Sequence, residues 1–278
     1  MTKKKVQRVL KYVMLSIISF ISLFPFIWML LGMTNKTMDI TAGKMQIGDQ
    51  FFHNMNSLFA SDLDFLGALK NSAVAAIVTT ILALLVSSAA GYAFEIYKTK
   101  RRERIFNVLL VSMMVPFAAL MIPLFRIFSQ ISSLGLDAIG IDSFISLIIP
   151  SISTAFLIFF FRQNTKSFSK EMLEAARIDG VSEMGLFFKI YMPTLKNTYA
   201  AAAIITFMNS WNNYIWPLIT IQTPDKRTLP LVLSAMGASY TPDYGMIMCG
   251  IVIATIPTAI IFLVMQKYFV AGMLGSVK

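Results

Sequence analysis

The segment KEMLEAARIDGVSEMGLFFKIYMPTLKNT, residues 170–198, is the longest charged interval between the apolar runs of this 278-residue chain. Read locally, it is two short helices with a forced bend between them. Ser169 is placed to cap the first, its hydroxyl oxygen accepting from an orphan backbone N–H, and Glu171 sets a carboxylate at the positive end of the helix dipole. Asp179 and Gly180 close that helix, because glycine enters the left-handed region without a side-chain clash. Ser182 and Glu183 restart helical structure. Pro193, which lacks an N–H, ends or kinks the second piece beyond Phe187, Phe188 and Ile190.

Ala175 and Ala176 leave one side of the first helix nearly free of bulk, and Glu174 and Arg177 flank it for charged hydrogen bonds. That chemistry suits a protein docking on the loop. It equally suits an amphipathic segment lying on lipid headgroups.

Outward from the loop the chain turns apolar. It is 56% hydrophobic and 14% charged, against about half and about a quarter in soluble domains, so it is a membrane protein. Six runs reach the roughly 20 helical residues that cross a hydrocarbon core of about 30 Å: 12–31, 71–94, 105–125, 143–161, 199–221 and 244–266. The expected fold is all-α, with six transmembrane helices in a single membrane domain over 1–278. The first run follows a lysine-rich start but is interrupted by Pro25 and lacks an A-x-A site, so it reads as a retained span rather than a secretory signal.

Alternate connecting segments hold eighteen and six Lys and Arg residues. By the positive-inside rule the richer side is cytoplasmic, which places both termini and the loop 163–198 in the cytosol. The same bias accounts for the net charge of +10 and gives no ground for nucleic acid as a partner. The basic turn EIYKTKRRER, 95–104, suits anionic lipid headgroups.

Several function classes are disfavoured. All fourteen acidic residues lie in connecting segments or at their edges, whereas ion-coupled secondary carriers commonly hold ionisable groups within the bilayer. Carbonyl-bound sodium keeps that alternative open. The spans offer no His, Asp or Glu for a catalytic constellation, so no catalytic residue is assigned. No G-x-x-x-x-G-K-[ST] loop is present, and energy for active transport would have to come from another polypeptide. His53 has no second His or Cys nearby and Cys249 is the sole cysteine, so neither a metal site nor a disulfide is expected.

In the fifth run Asn209 lies ten residues beyond Tyr199, about 15 Å into the membrane at 1.5 Å per residue. Asn209, Asn212, Asn213 and Trp216 are spaced i, i+3, i+4, i+7, which puts three amides and an indole on one helical face. Such a face suits a neutral polyhydroxylated ligand, since amides both donate and accept while rings cover apolar sugar faces. The asparagines serve equally as interhelical glue.

The string E-A-A-x-x-D-G (Glu174, Ala175, Ala176, Asp179, Gly180), followed after nine residues by I-x-M-P with Ile190 and Pro193, resembles the EAA loop of membrane subunits in ATP-binding-cassette importers. Val181 and Met192 are conservative departures from that pattern. The later NSWNNYIWPL and RTLPL resemble the carbohydrate branch, the maltose and multiple-sugar permeases. The resemblance implies a type I importer permease in a bacterial plasma membrane. Its loop would be the coupling helix seated on a cytosolic ATPase. It also implies a second permease subunit, two ATPases binding ATP and Mg, an extracytoplasmic solute-binding protein and a sugar substrate, with no cofactor in this chain. A non-sugar solute is the alternative.

Overall fold

The computed structural model describes residues 3–274, and their regular structure is entirely helical. In chain order the helices are α1 Lys3–Gly32, α2 Thr37–Thr41, α3 Phe51–Phe59, α4 Phe65–Ile96, α5 Lys100–Ser112 and α6 Phe117–Ser133. There follow α7 Phe144–Ile152, α8 Ala155–Thr165, α9 Lys170–Ile178, α10 Glu183–Gly185, α11 Met192–Thr194 and α12 Lys196–Trp211. The last three are α13 Ile215–Thr220, α14 Leu229–Gly237 and α15 Tyr244–Leu274.

Three apolar helical stretches are long enough to cross a membrane unbroken: Gln7–Gly32, Phe65–Ile96 and Tyr244–Lys267. They contain the expected runs 12–31, 71–94 and 244–266. The other three runs are not straight crossings, and prolines and caps explain why. Within 105–125, α5 and α6 meet at 103°, because Pro116 disfavours helical geometry at Val115 and itself adopts an extended ψ of 140°. Within 143–161, α7 and α8 are bent by 40°, and Thr154 starts a fresh helix by accepting from the Leu157 N–H at 3.3 Å. Within 199–221 the helix stops at Trp211, where Pro217 cannot donate to the Asn213 carbonyl and its ring crowds that carbonyl. Pro25, Pro123 and Pro257 lie inside continuous helices.

The chain groups into two compact units. The first holds the chain up to Leu66 with Val232–Ile256. Its buried amides tie the segment after α1: Asn54 Nδ2 donates to the carbonyls of Met33 and Asn35, both at 3.0 Å. Asn35 Nδ2 in turn donates to Leu31 and Gln46 at 2.8 and 2.7 Å. Asp243 caps α15, accepting from Gly245 at 3.0 Å, and also accepts from the Thr37 hydroxyl at 3.1 Å. The described residues of α1 before its last turn expose apolar side chains on all sides.

The second unit holds Gly67–Leu231 and the chain from Pro257. Small residues bring its helices together, with Ala83 and Ala202 buried against Leu157 and Phe161. A Cβ at Gly91 would stand 2.7 Å from Phe161 Cβ and 2.8 Å from the Arg162 nitrogen, so α4 and α8 approach as closely as they do only because that residue is glycine.

Candidate translocation cavity and coupling loop

The loop between α8 and α12 folds as its local chemistry dictates. Ser169 Oγ accepts from the Met172 N–H at 3.2 Å and caps α9. The same hydroxyl donates to Glu171, holding that carboxyl below its ordinary pKa. Gly180 has a φ of +79°, and the bonds Val181 N to Ala176 O and Gly180 N to Arg177 O, both 3.0 Å, close the helix C-terminus. Ser182 caps α10, accepting from Gly185 at 3.3 Å. A π-helical segment, Leu186–Tyr191, then leads into α11, and the second piece ends at Leu195, two residues beyond Pro193.

One face of the loop is core. Leu173, Ala176, Leu186, Phe187 and Tyr191 are buried with Tyr92 and Phe168, and the Tyr191 hydroxyl pairs with Thr165 Oγ1 at 2.7 Å. Ala176 is therefore packed inward and does not share an open side with Ala175. Its small side chain serves this packing. The opposite face exposes Glu174, Ala175, Asp179, Gly180 and Pro193, and Ile190 is half-buried. Ile178 and Met184 stand beside them at 87% and 67% exposure. Across the Gly180 turn, Arg177 pairs with Glu183 at 2.9 Å. Arg177 and then Tyr97 hold the Glu183 carboxyl low by hydrogen bonding, and Glu183 raises Arg177.

A cavity of about 480 Å³ lies in the second unit where the three helix breaks converge. Thr79 comes from the middle of α4 and Phe117 from the first residue after the α5–α6 bend. Ser151, Thr154, Phe156 and Leu157 come from the α7–α8 break, and Ile205, Thr206, Asn209, Ser210 and Asn213 from α12 and its end. Its polar groups are hydroxyls and amides, and none of these residues is ionisable. The Thr79 hydroxyl is buried without a hydrogen-bond partner.

The expected amide and indole face is divided. Asn209 and Asn213 line the cavity, but α12 stops at Trp211, so the helical register that would align Asn212 and Trp216 with them does not continue. Asn212 Nδ2 caps its own helix by donating to the Met208 carbonyl at 2.9 Å. Trp216 is 1% exposed, and its Nε1 donates to the Ser146 carbonyl at 2.8 Å. That carbonyl is the acceptor that Pro150, lacking an N–H, leaves open four residues later in α7. Trp216 is thus a staple between α13 and α7, surrounded by Phe117 and Phe128 with ring centroids at 6.1 Å.

Sequence reasoning missed Thr206 and Ser210, although Thr206, Asn209, Ser210 and Asn213 carry the same i, i+3, i+4, i+7 spacing, shifted by one step. It missed Thr79, Ser151 and Thr154 because no local signal marks a hydroxyl that faces a cavity. It also missed Arg162, buried at the end of α8, which bonds Glu95 at 3.3 Å and Glu103 at 2.5 Å and lies 3.9 Å from the centre of the Phe106 ring.

Broken apolar helices around a polar cavity, above a charged helical loop, define a membrane transport protein. Residues 83–275 match the family model described as binding-protein-dependent transport system inner membrane component, and the chain belongs to that family. It is 46% identical over 276 residues to the lactose transport system permease protein LacG of Rhizobium radiobacter, covering 99% of this chain and 98% of that one. It is 36% identical over 266 residues to the arabinooligosaccharides transport system permease protein AraQ of Bacillus subtilis (strain 168), covering 94% and 92%. Its fold is that of a chain in the crystal structure of a bacterial ABC transporter involved in the import of the acidic polysaccharide alginate, with a TM-score of 0.84 at 22% identity over 97% and 98% of the two chains. The chain is a membrane permease subunit of a binding-protein-dependent importer.

Proposed function

We propose that this subunit forms half of the membrane pathway of an ATP-driven importer of a neutral mono- or oligosaccharide. The observation that carries the reading is the meeting of three helix breaks at a cavity lined by hydroxyls and amides. Irregular backbone at membrane depth is tolerated where it lines a cavity, and transporters bind substrate at such discontinuities. Hydroxyls and amides donate and accept at once, as sugar hydroxyls require, and Phe117 and Phe156 offer rings to the apolar face of a pyranose. An acidic cargo such as alginate would call for cations, which this lining lacks. The relatives that carry lactose and arabinooligosaccharides support the neutral class.

In this reading Asn209 and Asn213, with Thr206 and Ser210, contact the passing sugar. A second permease subunit completes the pathway, and an extracytoplasmic binding protein delivers the substrate. Two cytosolic ATPases, holding ATP and Mg, seat on the loop 163–198 through Glu174, Ala175, Ile178, Asp179 and Gly180. Ala176, Ile190 and Pro193 shape that seat. Both termini lie in the cytosol of a bacterium, and lipid surrounds α1. Closure of the ATPases moves the loop and switches the cavity between outward and inward access.

The test is uptake of labelled lactose and arabinotriose by cells carrying the whole importer, with a uronic-acid oligosaccharide as competitor. Uptake of a neutral sugar should require the chain, survive the acidic competitor and fall severalfold in Asn209→Leu. Uptake that follows an ion gradient and ignores ATP depletion would overturn the reading in favour of a secondary carrier.

A further inference from the structure

The two arms of the Gly180 turn are joined again through side chains. Arg177 Nε donates to Glu183 Oε1 at 2.9 Å and Nη2 to Oε2 at 3.4 Å, while the Tyr97 hydroxyl donates to the same carboxylate. Arg102 and Arg177 lie 5.6 and 5.9 Å from the centre of the Tyr97 ring. Tyr97 is the residue after α4, the helix that carries Thr79 to the cavity. Two residues earlier, Glu95 holds the buried Arg162 of α8.

The side chains of Arg177 and Glu183 are 36% and 54% exposed, and an ion pair so open to solvent adds little to stability. What it adds is direction. The apolar cluster beneath the loop also reaches α4 through Tyr92, but the hydrophobic attraction behind it is non-directional. A carboxylate held from two sides by charge-assisted and hydroxyl hydrogen bonds fixes distance and angle. The two cavity walls differ in their need for this. The loop runs through α11 directly into α12, which bears Asn209, whereas α4 is reached only across space.

We propose that Tyr97, Arg177 and Glu183 form a transmission clamp. They are positioning residues that make the end of α4 follow the loop when an ATPase moves it, so that the α4 and α12 walls of the cavity shift together. The proposal rests on the reading of 163–198 as the ATPase-coupling loop.

The experiment uses the importer complex purified through this chain, in nanodiscs, with Cys249→Ala and with Asn213→Cys reporting access to the cavity. Reaction with an impermeant thiol reagent is measured with and without ATP plus vanadate, alongside ATP hydrolysis and thermal stability. With the clamp intact, ATP–vanadate should change the reaction rate. Glu183→Gln and Tyr97→Phe should each shrink that change by about 2-fold to 30-fold, the range seen for residues that couple distant sites, with stability and assembly kept. The paired exchange of Arg177→Glu with Glu183→Arg should restore most of it. An undiminished change in Glu183→Gln would overturn the clamp alone, and so would a loss that only follows falling thermal stability. If ATP–vanadate leaves the reaction rate unchanged in the parent, the coupling reading falls and takes the clamp with it.

Discussion

At Trp216 a single side chain resolves a backbone problem that lies in another helix. Pro150 frees the Ser146 carbonyl and the indole N–H occupies it, so Trp216→Phe should keep a ring in the site but strand a buried acceptor and leave a void beside the smaller ring. The expected cost is at least about 1 to 3 kcal/mol in stability with sugar preference unchanged, read from thermal denaturation of the complex beside uptake. Asn213→Leu should give the reverse pattern, with altered uptake at nearly unchanged stability. Asp142 is a second case, a residue at φ +57° on the connection before α7. Burial pushes its pKa up, but hydrogen bonds from the Thr223 hydroxyl and N–H, the Gln222 N–H and Lys226 outweigh this and set it at about 2 rather than 3.8. A carboxyl lowered by folding stabilises above its unfolded pKa and loses that contribution as pH falls through the folded value. Asp142→Asn, which tolerates the left-handed backbone, should therefore lower stability by about 2 kcal/mol at neutral pH. The gap to the parent should stay constant above about pH 5 and close between pH 3.8 and 2. A gap that persists at pH 2 would assign the effect to something other than the ionised carboxylate.

At the scale of elements, the proposed coupling loop depends on one backbone conformation. A Cβ at Gly180 would meet nothing within 4 Å, so Gly180→Val carries only the cost of a left-handed residue. That is at least the 1 to 2 kcal/mol typical of side chains in this region, and more for a β-branched one. The turn should open and separate Arg177 from Glu183. Uptake and ATPase co-purification should fall while the chain still inserts, and Glu174→Lys should reduce both by reversing an exposed charge on the same face. If either variant retained full uptake and sugar-stimulated ATP hydrolysis, the loop would be a segment lying on the membrane surface. Breaks in the helices behave alike: each places a proline or a cap where the chain must stop being helical, and residues at each of them line the cavity.

For the whole molecule, the distribution of Lys and Arg makes a directional statement that labelling in intact cells can check. In a Cys249→Ala background, Asp179→Cys should react with membrane-permeant thiol reagents alone. Ile47→Cys, on the strongly exposed segment after α2, should also react with impermeant ones. Reversed labelling would put 163–198 outside and remove it from any cytosolic ATPase.

Membrane residence, the helical class and the bent shape of the loop 170–198 were legible in residue order because each depends on neighbours within a few positions. Twenty apolar residues cross a bilayer whatever they pack against. Ser169 caps and Gly180 bends by their own covalent chemistry, and the EAA string is contiguous. Which amide faces the cavity was not legible, because that depends on where α12 stops. Asn213 and Trp216, three residues apart, end on different structures once Pro217 breaks the helix: one lines the cavity, the other is locked against α7. The inward packing of Ala176, the unpartnered Thr79 hydroxyl and the burial of Arg162 between Glu95 and Glu103 come from helices that approach across tens or more residues of chain. No local pattern encodes that approach, and only the packed structure decides it.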